Sequence, residues 1–326
     1  MNDFREYSMT QPGALGGYLG FNDEDVRILA KKHHMSFNEL KRWYYGYEMD
    51  SFDWRDPNSI VQKVAIYNPN SVMSAIRERH CDNYWAKTES FESLQRYIDL
   101  DFNNVKESLE NLITGKEIRL NVLRFGNDLT DISENEELFT LLIHLGYLSY
   151  DRTNRRATLP NQEIREEFVE ALRGSKSHKE LCELVRASDM LLEATWQMDE
   201  ETVAKNIEKV HNSKVAPNFY NNEQALRSTI RLAYLGAIDH YIEIQELASG
   251  KGYADIVLIP RRYTDNPLLV IELKWNKTVK AAINQIKDRD YPEILQSFAG
   301  EILLVGINYD KDSKKHSCKI EKYTIV

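Results

Sequence analysis

Two runs of apolar residues in the last third of the chain carry its clearest pattern. ADIVLIP at 254–260 and LLVIELKWN at 268–276 are rich in β-branched residues and are bounded by glycine and proline. Short apolar runs of this kind predict two buried strands. Three charged residues interrupt them, namely Asp255, Glu272 and Lys274. Charges inside a sheet are costly unless they are paired or bind a metal, so we expect them to have a chemical role.

Alternation along the second strand places Glu272 and Lys274 on one face and Ile271 and Leu273 on the other. Pairing of the two strands as a hairpin would bring Asp255 to the face of Glu272. Two carboxylates repel each other until a cation lies between them, and Mg²⁺ takes one or two carboxylates as ligands. The pattern therefore predicts a divalent-metal site that hydrolyses a phosphodiester. An ordinary strand end with a lateral ion pair is the alternative interpretation.

An aspartate on one strand followed by a hydrophobic strand that ends in E-x-K resembles the PD-(D/E)xK nuclease superfamily. More narrowly, residues 221–309 resemble the domain of this type found at the C-terminal end of bacterial AAA-ATPase-like proteins. The resemblance implies an α/β fold with a restriction-endonuclease-like α-β-β-β-α-β core. Its remaining elements are expected as a helix at 221–240, a strand at 241–247, a helix at 278–291 and a strand at 302–307.

The resemblance also implies further site residues and an activity. Glu223 would join Asp255 and Glu272 as a metal ligand, and Gln285, with Tyr291, would contribute from the second helix. The implied activity is Mg²⁺- or Mn²⁺-dependent cleavage of nucleic acid, with DNA preferred over RNA. Each helical residue has a plainer interpretation, since a glutamate is favoured in a first helical turn and a helix glutamine is usually solvated.

The first 216 residues predict a mainly helical domain. A helix is expected at 22–34, a second begins after the cap Ser36 and ends at Gly46, and a third begins at Asn70 or Ser71 after the Asn68-Pro69 turn. The segments WYYGYEM, IYNPNSVMSAI and NYWAKTES resemble, in order and spacing, the C-terminal portion of the AAA-ATPase-like module. We expect their aromatic residues to form core rather than a catalytic site.

Residues 134–172 predict a helix, a hairpin and a second helix, as in a winged-helix module. The hairpin tip carries Arg152, Arg155 and Arg156, which suit either DNA contact or a mere protein spacer. Two more helices are expected at 176–212, and SKVAPN is the predicted linker. The predicted domains are therefore 1–216 and 217–326.

Charge divides unevenly between these two parts. Residues 217–326 hold 15 Lys and Arg against 14 Asp and Glu, a net charge of +1, whereas residues 1–216 hold 27 against 37, a net charge of −10. The acidic part is poorly suited to a nucleic-acid duplex. In the C-terminal part, Lys277, Lys280, Lys287 and Arg289 would meet phosphates, or would simply form a solvated helix face.

Several classes are excluded by what the sequence lacks. There is no run of eighteen uncharged apolar residues, so no membrane span is expected, and the start of the chain lacks a signal peptide, which indicates a cytoplasmic protein. The three cysteines are far apart and predict neither disulfides nor a zinc module. Neither Gly-Lys pair has the form of a P-loop, so no ATP binding is expected. Two alternatives remain: a catalytically idle nucleic-acid or protein-binding module, and a regulatory component whose helical domain recruits an ATPase partner.

Overall fold

The computed structural model divides the chain into two compact units, Met1–His178 and Lys179–Val326. The division lies before the linker that the sequence suggests, because the two helices that precede this linker group with the second unit. The described residues are 7–53, 55–56, 58–85, 90–100, 104–122, 134–212, 223–249, 252–262, 264–288, 298 and 300–323, and in 90–93, 223–224, 245–249 and 252–254 only the backbone is described. The predicted linker lies outside them. No helix in these ranges is long and apolar enough to cross a membrane.

The first unit is mainly helical, with two small sheets. Its elements are α1 Asp23–Lys32, α2 Phe37–Tyr44, β1 Tyr47–Ser51, β2 Gln62–Ile66, α3 Pro69–Glu78, α4 Ser90–Ile98, α5 Val105–Ile113, β3 Ile118–Arg119, α6 Asn135–His144, β4 Ser149–Asp151, β5 Arg156–Thr158 and α7 Gln162–Arg173. β1 pairs with β2, and β3, β5 and β4 form a three-stranded antiparallel sheet. α7 packs against α2, α4 and α5, and most of its residues are buried.

Side-chain caps set the beginnings of the first three helices. Asn22 accepts the backbone N–H groups of the first turn of α1 in a capping box, and Ser36 caps α2 as predicted. α3 begins earlier than predicted, at Pro69, because Asn68 rather than a later residue supplies the cap. Proline suits the first helical position, where an N–H group would lack an intrahelical partner anyway.

Most aromatic residues of the WYYGYEM and IYNP segments lie in the core of this unit, as predicted, and Tyr45 is only half-buried. Trp43, Tyr44 and Tyr67 are almost completely buried. Tyr44 exchanges hydrogen bonds with the backbone of Asp82, and the Tyr67 hydroxyl donates to Asp23 at 2.6 Å. Buried phenols need such partners, so these contacts tie α1 and α2 to the segments that follow them.

The expected helix, hairpin and helix at 134–172 are present as α6, β4-β5 and α7. β3 adds a third strand that the sequence did not predict. The hairpin exposes Arg152, Arg155 and Arg156, and Arg156 also forms an ion pair with Glu117, beside β3. Whether this segment acts as a winged-helix module stays a prediction.

The second unit has a five-stranded sheet between helices. Its elements are α8 Lys179–Trp196, α9 Glu200–His211, α10 Glu223–Ala233, β6 Tyr241–Ser249, β7 Gly252–Pro260, β8 Leu268–Trp275, α11 Val279–Lys287, β9 Ile302–Asp310 and β10 Lys315–Tyr323. The strand order is β10-β9-β8-β7-β6. Only the β8-β9 pair is parallel, because α11 makes the crossover that parallel neighbours require. A mixed α/β domain of this order confirms the predicted fold class.

Besides shifted ends of β6, β9 and α11, the sheet domain differs from the prediction in its first helix and in one added strand. The helix expected at 221–240 ends at Ala233 and is followed by a short 3-10 helix, Leu235–Asp239. β10 was not predicted, because its sequence, KHSCKIEKY, is mostly polar. A strand at the sheet edge has one bonded neighbour and needs little apolar surface.

One face of the sheet packs against α11. Val257, Val270 and Leu304 form a core cluster with Ile283 and Ile286 of that helix. The helix lies close over β9 at Gly306, where an added Cβ would lie 2.9 Å from the carbonyl oxygen of Val279 and 3.0 Å from another side chain. This close approach fixes the position of the helix over the end of β8.

Candidate active site

The candidate site lies where β7 and β8 separate. Their ladder includes the pairs Val257–Val270 and Ile256–Ile271 and has no pair beyond the latter. Asp255 and Glu272 are the next residues on the two strands. Because side chains alternate along each strand, both project from the same face of the sheet, as the sequence pattern predicted for a hairpin.

Where β7 and β8 diverge, side chains replace the backbone hydrogen bonds of the ladder. The N–H group of Leu273 donates to Oδ2 of Asp255 at 2.8 Å, and its carbonyl accepts from Nζ of Lys274 at 3.1 Å. Both polar groups would lack a partner if the ladder simply stopped, and buried backbone groups need one. Asp255 and Lys274 are therefore both held by backbone groups of β8, at the point where its pairing with β7 ends.

Each carboxylate carries a cation from the protein. Nζ of Lys274 lies 2.9 Å from Oε1 of Glu272, and Nη2 of Arg227 on α10 lies 2.5 Å from Oδ1 of Asp255. Asp255, Glu272 and Lys274 are only 6%, 1% and 5% exposed. Pairing makes this burial tolerable. The expectation that the carboxylates repel each other until a metal binds is wrong, because two side-chain cations already compensate them.

The face that carries Glu272 and Lys274 also carries apolar core residues. The earlier residues of β8 on the same face, Leu268 and Val270, pack in the core cluster with α11. The parallel register places Gly306 and Asn308 of β9 beside the two charged residues. The apolar half of this face thus anchors the strand, and the charged half lies at its carboxyl end.

Asn308 links the site to the helix that follows it. Its side chain is 4% exposed, and its Oδ1 accepts the backbone N–H of Lys277 at 2.9 Å. Thr278 then caps α11 by accepting from Ala281. Lys277 and Lys280 are exposed at this end of the helix. The turn from β8 into α11 is therefore fixed beside Lys274 and presents two lysines to solvent.

The two helical residues implied by resemblance are placed less directly. Glu223 is the first residue of α10, four residues before Arg227 and hence on the same side of the helix, but its side chain is outside the described part. Gln285 is half-buried on α11, and no hydrogen bond joins it to the three charged strand residues. Tyr291 lies outside the described residues. Their roles stay predictions.

Arg227 is the site residue that the sequence interpretation missed. Its signal was indirect: two buried carboxylates required two cations, and only Lys274 had been assigned. Arg227 and Arg231 lie one turn apart on α10, and Arg231 pairs with Glu243 at 2.9 Å. Two arginines on one side of a helix that packs beside a sheet with buried acids form the pattern that could have identified Arg227.

On the other face of the sheet, a row of rings lies beside the site strand. Tyr309 stands between Trp275 and His316, with ring centroids 4.9 Å away in each case, and His211 of α9 lies 5.0 Å from Tyr309 and 5.1 Å from His316. Burial, together with the neighbouring His211, lowers the pKa of His316 to about 3. These rings pack against the end of β8 on the face opposite to Glu272 and Lys274.

The donor set suits a hard divalent cation. Asp255 and Glu272 supply carboxylate oxygens on one face of adjacent strands, and Mg²⁺ takes one or two carboxylates and completes its shell with water and phosphate oxygens. Among the residues whose side chains are described, no group of three or more His, Cys, Asp or Glu could hold a metal ion. The described side chains thus supply two carboxylates for such a cation, Asp255 and Glu272.

A helix, three consecutive strands, a helix and a further parallel strand, with an acid on the second strand and E-x-K on the third, define a restriction-endonuclease-like α/β domain. The family model described as the PD-(D/E)XK nuclease superfamily matches residues 221–319, a segment that contains Glu223, Asp255, Glu272, Lys274 and Gln285. The chain therefore carries a PD-(D/E)XK nuclease superfamily domain there. No curated protein and no solved structure matches the chain.

Proposed function

We propose that residues 217–326 form a metal-dependent nuclease domain that hydrolyses phosphodiester bonds in nucleic acid, with DNA preferred over RNA. One observation carries the proposal: Asp255, Glu272 and Lys274 are buried together at the separation of β7 and β8. The superfamily match supports the same activity. Burying three charges at a strand end needs a reason beyond stability, since buried ion pairs contribute little net stability.

In this proposal the metal ligands are Asp255 and Glu272, with Glu223 from α10 as a third. When bound, Mg²⁺ or Mn²⁺ would polarise the scissile phosphate and lower the pKa of a coordinated water. The hydrogen bond from Leu273 orients Asp255. Gln285 would assist from α11.

Lys274 would hold the attacking water or stabilise the negative charge that builds on the phosphate. An ammonium group has three N–H donors, and its bonds to Glu272 and to the carbonyl of Leu273 use two of them. The third is available to water or to a phosphate oxygen. Because the side chain is buried and held at two points, it would act without reorganisation.

Substrate phosphates would be met by the lysines at the start of α11. Lys277 and Lys280 are exposed there, beside the fixed turn that follows Lys274. Lys287, further along the helix, forms an ion pair with Glu321 at 2.5 Å and is thus less suited to this task. Arg289 lies outside the described residues.

For residues 1–216 we propose the tail of an AAA-ATPase-like module, including a winged-helix-like segment at 134–172, which binds a protein partner rather than ATP. The order of the aromatic motifs supports this, and their packing as core agrees with a structural role. We propose a cytoplasmic location for the whole chain.

A cleavage assay tests the proposed function. The purified chain is incubated with plasmid, linear duplex DNA, single-stranded DNA and RNA, each with Mg²⁺, Mn²⁺ or EDTA, and with Glu272→Gln as the matched variant. We expect the parent chain to cleave only when Mg²⁺ or Mn²⁺ is present, and to cleave DNA faster than RNA. We expect no cleavage by Glu272→Gln. Binding without cleavage under every condition would instead support an idle binding module.

A further inference from the structure

Arg227 contacts one oxygen of Asp255, and the backbone holds the other. Oδ1 accepts from Nη2 of the arginine at 2.5 Å, whereas Oδ2 accepts from the N–H group of Leu273 at 2.8 Å. The contact originates from α10, whose neighbouring Leu226 and Ile230 are fully buried and fix the helix in place. Asp255 would thus keep its orientation if the arginine left, because Oδ2 remains bonded to β8.

Charge balance makes such a departure necessary when a divalent cation binds. Asp255 and Glu272 contribute two negative charges, and Arg227 and Lys274 contribute two positive ones, so this group of four is neutral. With Glu223, the third ligand of the proposed function, a divalent cation at the carboxylates would still leave an excess of one positive charge in a largely buried place. Uncompensated charge is very unfavourable where water is excluded, so one protein cation has to move away.

Exposure decides which cation moves. The side chain of Lys274 is 6% exposed and is bonded to both Glu272 and a backbone carbonyl. The side chain of Arg227 is 31% exposed and reaches the site from a helix outside the sheet. Arg227 is already partly hydrated and can move further toward water, whereas moving Lys274 would break two buried hydrogen bonds.

We propose that Arg227 is a positioning residue that holds Oδ1 of Asp255 in the metal-free protein and yields it to the divalent cation. The guanidinium then becomes available to a phosphate of the nucleic acid, for which its planar donor array is well suited. The proposal rests on the proposed function and adds an exchange of cations at one carboxylate oxygen.

Metal affinity measured without nucleic acid tests the exchange. Mn²⁺ is titrated into the full chain and followed by calorimetry or electron paramagnetic resonance. We expect Arg227→Gln to bind Mn²⁺ about tenfold more tightly than the parent, because a competing unit charge at contact distance is removed. Arg227→Lys keeps the charge and should remain near the parental affinity.

Arg231 offers a matched control one turn along the same helix. It forms a comparable ion pair with Glu243, whose partners are 12% and 11% exposed, but it contacts neither Asp255 nor Glu272 in the described contacts. Arg231→Gln should therefore leave the Mn²⁺ affinity unchanged. Equal or weaker Mn²⁺ binding by folded Arg227→Gln would overturn the proposal, as would an equal gain in Arg231→Gln.

A measurement on the unmodified protein covers the case in which Arg227→Gln fails to fold. Side-chain ¹⁵N NMR of arginine, with the signal assigned from its loss in Arg227→Lys, should show the guanidinium of Arg227 shifting when Mg²⁺ is added. An unchanged signal at saturating Mg²⁺ would contradict the exchange.

The second half of the proposal predicts an effect on binding that depends on metal. With an oligonucleotide made resistant to cleavage by phosphorothioate linkages, Arg227→Gln should reduce the salt dependence of binding, relative to the parent, by about one phosphate contact when Mg²⁺ is present. In EDTA the two proteins should bind alike. A loss of equal size in both conditions would show that Arg227 is not released by metal.

These outcomes separate the two proposals. If the parent chain binds no Mn²⁺ and cleaves nothing, both fail. If it binds Mn²⁺ and cleaves, while Arg227→Gln changes neither its metal affinity nor its metal-dependent oligonucleotide binding, only the exchange fails.

Discussion

Both units of the chain bury carboxylates, and the first unit holds those of Glu163 and Glu167 with neutral donors. Glu163 and Glu167 lie one turn apart on α7 and are 0% and 3% exposed. Oε1 of Glu163 accepts the backbone N–H groups of Tyr84 at 2.8 Å and Trp85 at 3.2 Å, and Asn83 donates to Glu167 at 2.8 Å. Burial raises the pKa of both, that of Glu163 to about 7, despite the backbone bonds that oppose the shift.

The second unit holds its carboxylates with cations instead. Arg227 and Lys274 neutralise Asp255 and Glu272, and the backbone N–H group of Leu273 donates to Asp255. Neutral donors fasten a chain segment but do not compensate the charge of a buried acid, so burial still makes its charged form costly. A side-chain cation compensates the charge and can be replaced by a metal. Under the proposed function, this difference separates a structural fastening in the first unit from a catalytic site in the second.

The largest expected effect concerns cleavage. Glu272→Gln should abolish it, and Lys274→Gln should slow it by about 10²- to 10⁴-fold, the usual contribution of a positioned acid, base or charge stabiliser. Glu167→Gln, which alters a buried carboxylate of the first unit, should cleave at the parental rate. Initial rates in Mg²⁺ measure all three. Parental cleavage by both site variants would make their charges structural.

The next effect is a pH dependence that arises in the first unit. The pKa of Glu163 is raised from 4.5 to about 7, so the folded state binds the proton more tightly than the unfolded chain does. Protonated Glu163 therefore adds on the order of 3 kcal/mol to the folding stability below pH 4.5. This contribution is lost as the pH rises through 7.

Glu163→Gln should remove this dependence, because an amide oxygen can still accept the two backbone N–H groups but does not titrate. Denaturant unfolding of the first unit at pH 5 and pH 8 measures the change. If the free energy of unfolding of the variant changes between pH 5 and pH 8 as much as that of the parent, Glu163 is not the source of the pH dependence.

His316 should give the second unit the opposite dependence. Its pKa is lowered from 6.5 to about 3, first by burial and then by His211. The unfolded chain therefore binds the proton more readily, and stability is lost as the pH falls below 6.5, by roughly 2 kcal/mol at pH 5. His316→Phe keeps a ring beside Tyr309 and should flatten the acid limb. The unfolding of this unit between pH 7 and 5 checks the sign.

A smaller effect concerns the metal-free stability of the site. Sequence reasoning predicts that removing a carboxylate relieves repulsion, so that Asp255→Ala would be neutral or stabilising in EDTA. The structure reverses that sign, because the variant removes the acceptor of Arg227 and of the buried N–H of Leu273. We expect a loss of about 1–2 kcal/mol in denaturant unfolding. Asp255→Asn, which keeps an acceptor oxygen, should lose less, and equal stability of all three proteins would contradict this.

The smallest effect is expected at the hairpin of the first unit. Replacing Arg152, Arg155 and Arg156 by alanine should change stability by less than about 1 kcal/mol, because exposed charges contribute little. If this segment binds DNA, the triple variant should reduce the salt slope of binding by up to about three phosphate contacts. Arg156, paired with Glu117, should account for the least of it. An unchanged slope would identify the segment as a spacer.

The sequence by itself determined the local features of the nuclease-like domain. Apolar runs located β7 and β8, alternation put Glu272 and Lys274 on one face, and capping residues marked the starts of α1 and α2. These features depend on spacing within a few residues, which the chain order contains. The polar strand β10 escaped notice because an edge strand is recognised by its neighbour rather than by its own composition.

Only the tertiary structure decided how the buried charges are compensated. Arg227 is 28 residues before Asp255, and their ion pair forms because α10 packs beside the sheet. The same holds for Glu163, whose partners precede it by 79 and 78 residues. Electrostatic energies depend on distance and burial in space, and neither can be read from the order of residues along the chain. The sequence therefore located the acids, and the fold determined which cation or N–H group holds each of them.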